Sequence, residues 1–242
     1  MRTAGTVLQK DSADAMAAPL MSRAELIARY RQLREVSTQH HSTALNFLSR
    51  DAIISQARRI GLTQGKTLVL DSMDDMYLAF DLAIYTAPKD RSRAIDRYAK
   101  GARFTWGSDE SIVLEAMRRA RFSIISFVRR HPVAGLIVKD LFLFRGVEIW
   151  LIDVGLESSL PQEAALATRL FTPDRFDITA GVLVPLDLEL IEDAIAATPQ
   201  LLRKGYEEVI NERRFAESIY RVALTSALME QVAYRDAIAE SG

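Results

Sequence analysis

The stretch Phe122-Ser-Ile-Ile-Ser-Phe-Val128 decides the fold. Before it, apolar residues recur at helical spacing; from Phe122 the period shortens to two and β-formers dominate. Leu136-Ile-Val-Lys-Asp-Leu-Phe-Leu-Phe144 and Val147-Glu-Ile-Trp-Leu-Ile152 follow. They flank Arg145-Gly146, which reads as a tight hairpin turn with Gly where a positive φ is needed. Residues 164–171 supply a fourth strand and Phe176 to Leu186 a fifth, ending at Pro185-Leu186. Five short strands at this spacing predict a small, strongly bent antiparallel sheet or barrel over about residues 122–187.

On the N-terminal side the period is helical. Residues 1–21 are rich in Ala, Ser and Thr and read as a mobile tail. Ser22-Arg23-Ala24-Glu25 fits a capping box, and Leu26, Tyr30 and Leu33 give the next helix one apolar face. Leu45 to Ile53 and Ile54 to Ile60 read as further helix, broken near Arg50-Asp51 and ended by Gly61. Thr67 to Leu70 is a short apolar strand after the turn at Gly65-Lys66. Asp71 or Ser72 caps a helix to about Tyr85, and Arg93 to Lys100 forms another that ends at Gly101. Ser108 caps the last of the series, with Asp109 and Glu110 in its first turn and Arg118, Arg119 and Arg121 in its last, the order the helix dipole prefers.

After Asp187 the helical period returns to about Ala197. Pro199 opens a final helix whose stripe of Leu202, Tyr206, Val209, Ile219, Val222, Ala223 and Ala227 carries it to about Tyr234. The fold class is therefore α+β. A mainly helical portion with one short strand spans 22–121, a β module 122–187, and a helical pair over 188–242 packs back on the first portion.

Composition bounds the chemistry. The 242 residues contain no cysteine, which excludes disulfides, thiolate metal sites and a cysteine nucleophile. Net charge is −1, but residues 1–130 hold 21 Lys and Arg against 14 Asp and Glu, while residues 131–242 hold 10 against 18. Such asymmetry marks either a nucleic-acid face or two halves that attract each other. No segment approaches the roughly 20 apolar residues of a membrane span, since Arg145 and Glu148 break the longest run. Asp11 and Asp14 interrupt any signal-peptide core, so the expected location is the cytoplasm.

Several constellations are candidates for chemistry. Asp71, Asp74 and Asp75, with Asp81 beyond, form the densest acidic group. They suit either an oxygen-ligated divalent metal or plain helix capping and dipole compensation. His40 and His41 diverge by roughly 100° on a helix and cannot share a metal. His131 precedes Pro132 in a turn and has no partner legible as an acid or nucleophile. Gly61 to Thr67 resembles a phosphate loop but has three residues between its glycines where four are required. Trp150 is either a core ring at the end of the barrel or a stacking platform.

The basic run Lys89, Arg91, Arg93, Arg97, Lys100 and Arg103 is interleaved with Tyr98, Phe104 and Trp106. Cations among aromatics suit phosphates and bases, and Arg118, Arg119, Arg129 and Arg130 would extend the patch. On the last helix Ile219, Tyr220 and Leu224 form an apolar side that would seat a second copy as a homodimer, or pack on the chain's own N-terminal helices.

Three stretches carry a resemblance. They are Gly107-Ser-Asp-Glu-Ser111 with Ala116 to Phe122, Val138 to Phe142 with Leu151-Ile-Asp-Val-Gly-Leu156, and Arg169-Leu-Phe171 with Phe176 to Val182. Over about residues 67–187 the pattern resembles an uncharacterised bacterial family of small-barrel proteins, some of which carry a SEC-C zinc knob. The knob has no cysteines to build it here. The resemblance implies a small barrel and brings no catalytic motif.

The functional expectation is a non-enzymatic binding or adaptor protein that needs no cofactor. It would hold a protein or nucleic acid, the latter through residues 89–130. The alternative is a metal-dependent hydrolase built on Asp71 and Asp75, with Asp74 as a further ligand.

Overall fold

The computed structural model describes residues 21–65, 67–70, 73–88, 90–141, 147–161, 164–196 and 213–226. Helix α1 (Arg23–Leu45) begins at the expected capping box. The Ser22 amide donates to Glu25 Oε2 at 2.7 Å and the Glu25 amide to Ser22 Oγ at 3.3 Å. Ser49 caps α2 (Arg50–Arg59), so the expected break falls over residues 46–49. The single strand expected at Thr67 is half of a hairpin, β1 (Thr63–Gln64) paired with β2 (Thr67–Leu68). Helices α3 (Met73–Tyr85), α4 (Ala94–Gly101) and α5 (Asp109–Arg118) complete the first portion.

The β module contains β3 (Arg121–Arg130), β4 (Leu136–Asp140), β5 (Glu148–Leu151), β6 (Ala165–Phe171) and β7 (Ile178–Leu186). The expected turn at Arg145-Gly146 lies outside the described residues, although β4 and β5 pair antiparallel as that turn requires. All four ladders are antiparallel, in the order β5-β4-β3-β6-β7. Three consecutive strands with the fourth returned beside the first make a Greek key. Strand β3 is shared, with Arg121 to Ser126 facing β6 and Ile125 to Arg130 facing β4. A bulge between Phe127 and Arg129 bends it.

The bend brings the two edges of the sheet together. The Asp177 amide donates to the Trp150 carbonyl at 2.8 Å, and the Ile152 amide donates to the Asp177 carbonyl at 3.0 Å. This is a single parallel bridge, Leu151 to Asp177. The result is a five-stranded, partly open Greek-key barrel.

Strand alternation sorts the core. Ile125, Leu136, Val138, Leu151, Leu166 and Leu170 fill the inside, with Leu156 from α6 (Val154–Ser159), a helix not foreseen from periodicity. Asp153 caps α6 by accepting the Leu156 amide at 3.1 Å. Phe122, Ile124, Ala167, Val182 and Val184 face outward onto α3, α7 (Leu188–Ala196) and α8 (Arg213–Ala223). Ile152, Phe171, Phe176 and Ile178 pack toward α1, α4 and α5. The C-terminal helices thus lie on α3 and on the barrel, with Ser218 Oγ donating to the Ala194 carbonyl at 2.6 Å. Of the long last helix expected from Pro199 to Tyr234, residues 213–226 are described and Arg213–Ala223 are helical, and all of the expected tail 1–21 but Met21 lies outside the described residues.

Candidate functional site

Helix α4 buries Ala94, Ile95 and Tyr98, leaving Lys100 and the flanking Arg91 and Arg103 exposed. The loop that follows is tightly built. The Ala102 amide donates to the Tyr98 carbonyl at 3.0 Å and the Ser108 amide to the Thr105 carbonyl at 3.1 Å. Gly107 adopts φ +81°, a left-handed conformation that side chains resist. Ser108 then caps α5 through the Ser111 amide. This frame holds Trp106 at 94% exposure, two residues after Phe104 at 41%. Burying an aromatic ring of 150–250 Å² is worth about 4–6 kcal/mol at ~25 cal/mol per Å², and the fold forgoes nearly all of it at Trp106.

The floor beneath Phe104 is polar and neutral. Phe104 meets the His40 ring edge-on, with centroids 5.4 Å apart. His40 Nε2 lies 2.8 Å from the Glu110 carbonyl, and Nδ1 lies 2.8 Å from Tyr98 Oη. A carbonyl only accepts, so Nε2 carries the proton and Nδ1 accepts from the tyrosine. Burial lowers the His40 pKa below its ordinary value, so the ring is uncharged at neutral pH.

The expected basic residues divide into two groups. Arg93 holds Asp96 at 2.7 and 3.0 Å and the Arg118 carbonyl at 2.7 Å, while Arg118 reaches Asp96 at 3.3 Å and Glu115 at 2.7 Å. Burial alone would raise the Asp96 pKa, but hydrogen bonds from Arg93 and Arg118 outweigh it and hold the carboxyl below its usual range. Arg97 donates to the Phe47 carbonyl at 2.6 Å. Arg129 pairs with Glu148, and Arg130 donates to the Glu157 carbonyl. Arg119 pairs with Glu115 at 2.7 Å yet leaves its side chain 77% exposed. Lys89 lies outside the described residues. Of the run Lys89 to Arg103, the described cations that stand exposed are Arg91 before α4, Lys100 in its last turn and Arg103 after it.

Asp71 lies outside the described residues, and Asp74 and Asp75 occupy the first turn of α3. Among the described residues no three His, Cys, Asp or Glu side chains are placed to hold a metal ion. Asp81 is held by Arg169 through two 2.9 Å hydrogen bonds and accepts a third, also 2.9 Å, from Tyr220 Oη. Asp153 caps α6 and accepts from Thr179 Oγ1 at 2.8 Å.

The residues expected at a homodimer face lie on or just after α8. Ile219 and Tyr220 are completely buried in the chain's own core, and Leu224 packs half-buried against the same cluster. These residues close α8 onto α3 and the barrel.

Sequence periodicity did not reveal two further features. One is the buried Arg169–Asp81–Tyr220 knot, with the Arg169 guanidinium 4.7 Å over the Tyr85 ring. An arginine flanked by Thr168 and Leu170 in an otherwise apolar strand was its only signal. The other is a cleft of about 280 Å³ at the barrel seam, lined by Arg121, Val147, Ile149, Trp150, Arg175 and Asp177. Trp150 is half-buried there. His131 stacks on it at 4.2 Å, and its indole N–H donates to the Ala134 carbonyl at 2.8 Å. His131 Nδ1 in turn accepts the Val133 amide at 3.2 Å, which makes it a turn-organising group.

No helix among the described residues is long and apolar enough to cross a membrane. Neither curated proteins nor solved structures contain a significant match to the chain. A family model does match, over residues 24–226, from the start of α1 to beyond α8. The chain therefore belongs to a family of unknown function, DUF7986.

Proposed function

We propose that the protein is a non-enzymatic cytoplasmic binding protein that holds single-stranded nucleic acid on the aromatic loop after α4. The observation that carries this reading is the Trp106 ring, 94% exposed on a tightly built loop between Arg103 and α5. Bases stack on aromatic faces whatever their identity, at about 1–3 kcal/mol per base, and nearby cations neutralise the backbone. Phe104, two residues earlier, is a second exposed ring, and Arg91, Lys100 and Arg103 supply exposed positive charge. Three exposed cations predict modest affinity and a shallow salt dependence, roughly two to three ions per strand bound. The Greek-key barrel adds an argument by analogy of architecture alone.

The test is fluorescence anisotropy with labelled oligo-deoxythymidine and oligo-uridine at rising salt. Binding that falls linearly with the logarithm of salt, and at least tenfold with Trp106→Ala, supports the reading. No binding at 20 mM salt, or binding indifferent to Trp106→Ala and to a Lys100→Glu/Arg103→Glu double variant, overturns it.

A further inference from the structure

We propose that the barrel seam is a strand-addition site, where the outer edge of β5 pairs with an extended peptide segment carrying a carboxylate. This rests on the β5 edge and does not depend on the nucleic-acid reading above.

On one side β5 is fully paired with β4, from Glu148 opposite Lys139 to Leu151 opposite Leu136. On the other side, among the described residues, it meets the chain only at the single bridge to Asp177. Groups on one residue of an antiparallel strand point to the same edge, and the direction alternates along the chain. The Trp150 carbonyl and the Ile152 amide both bond to Asp177 across the seam. The Trp150 amide and both backbone groups of Glu148 therefore face the same way, into the cleft. A row of backbone donors and acceptors with a two-residue repeat is a template for another strand.

The walls select what that strand carries. Val147, 53% exposed, and the half-buried Ile149 offer apolar contact on either side of Glu148. Arg121 lies across the cleft, but its charge is balanced by Asp177 at 2.5 Å. Arg175 differs: its side chain is 43% exposed, its Nη2 donates to Met21 Sδ at 3.0 Å, and the Asp174 carboxylate stands 3.9 Å from its Nε. Asp174 is itself matched by Arg29 at 3.1 Å. One cation thus faces the incoming chain, enough for one carboxylate and too few for a polyphosphate. The volume of about 280 Å³ falls just under the roughly 300–1,000 Å³ of small-molecule pockets, as suits a shallow trough for part of a longer segment.

The test uses the full-length protein and two end-capped, fluorescein-labelled peptides, Val-Glu-Val-Thr-Val-Glu-Val and its lysine counterpart Val-Lys-Val-Thr-Val-Lys-Val. The glutamate peptide is expected to bind at least tenfold tighter, and Arg175→Ala to remove most of that preference. Glu148→Pro deletes a seam-facing N–H while sparing the Ile149 and Leu151 bonds to β4, so it should weaken binding at least tenfold. Glu148→Ala keeps the N–H and should retain binding. If Glu148→Pro does not fold, amide exchange of the unmodified protein decides: saturating glutamate peptide should slow the Glu148 and Trp150 amides. No binding of the glutamate peptide at 1 mM, equal binding of both peptides, or unslowed amides would each overturn the proposal. Displacement of the peptide by oligo-deoxythymidine, in a manner sensitive to Arg175→Ala, would assign the seam to nucleic acid and overturn it too.

Discussion

Arg169 and Arg103 look alike in the sequence, each beside apolar neighbours, and the fold treats them in opposite ways. Arg169 projects from the outer wall of β6 into the layer of helices. Its side chain is 6% exposed and that of Asp81 only 3%, and the pair is joined by two 2.9 Å hydrogen bonds under the Tyr85 ring. Burial disfavours the guanidinium charge, but the Asp81 carboxylate outweighs it and raises the Arg169 pKa further above its ordinary value. Arg103 stands in solvent, donating only to the carbonyls of Lys100 and Ala102. The difference teaches that charge near aromatics is a binding signal only where tertiary packing leaves it in water. In the buried knot each charge needs the other; around Trp106 the charges are available to a partner.

Removing one member of the knot should have the largest effect. Asp81→Ala leaves a buried, unmatched guanidinium and is expected to destabilise the protein by about 3–5 kcal/mol in urea denaturation. Asp81→Leu with Arg169→Leu should recover most of that loss, because it removes both charges. A loss under about 1 kcal/mol for Asp81→Ala would erase the distinction between the two arginines.

Next in size is the turn beneath Trp150. Gly135 has φ +80°, and a Cβ there would lie 2.3 Å from the Leu151 carbonyl oxygen. Gly135→Ala should destabilise by about 2–4 kcal/mol through strain and displacement of β5. Gly61→Ala makes the control, since at φ +92° nothing lies within 4 Å of the added carbon. It should show the backbone strain alone, about 1 kcal/mol.

A smaller effect comes from His41 on α1. Its Nε2 lies 2.8 Å from Tyr85 Oη, next to the knot. Burial, assisted by the nearby Arg34 charge, pushes its pKa down to about 4. The unfolded chain binds a proton there near pH 6.5, so it holds more protons than the fold between about 6.5 and 4. Stability should fall as pH drops through that window, by on the order of 2 kcal/mol, and His41→Gln should flatten the profile. Thermal denaturation from pH 4 to 7 reads both.

The smallest expected change in stability is at the loop. Trp106→Ala and Arg103→Ala should each alter folding by no more than about 0.5 kcal/mol, since neither is packed. The same Trp106→Ala that is silent in denaturation should reduce oligo-deoxythymidine binding at least tenfold. A large folding defect with Trp106→Ala would place the ring among the structural aromatics and break the comparison from the other side.

The barrel was legible because each of its strands has an inside and an outside, and alternation such as Ile124 against Ile125 records both. The helix starts at Ser22 and Ser108 were legible because each serine satisfies an orphan amide three residues on, whereas the same role of Ser49 went unread. Helix α6 escaped notice because six residues are too few to establish a period. Within the basic run, Phe104 and Trp106 were marked as candidates by composition, but nothing local distinguishes Arg93, committed to Asp96, from Lys100.

Local chemistry alone therefore settled where α1 and α5 begin, the period of the longer elements, and that a β module lies between helical segments. Which charges are neutralised, that Tyr220 faces inward, and that the sheet stops one bridge short of closing were decided by residues far apart in the chain. Pairs such as Asp81 with Arg169, Tyr220 with Asp81, and Trp150 with Asp177 meet only after the helices have docked on a curled sheet, and no window of sequence contains both partners.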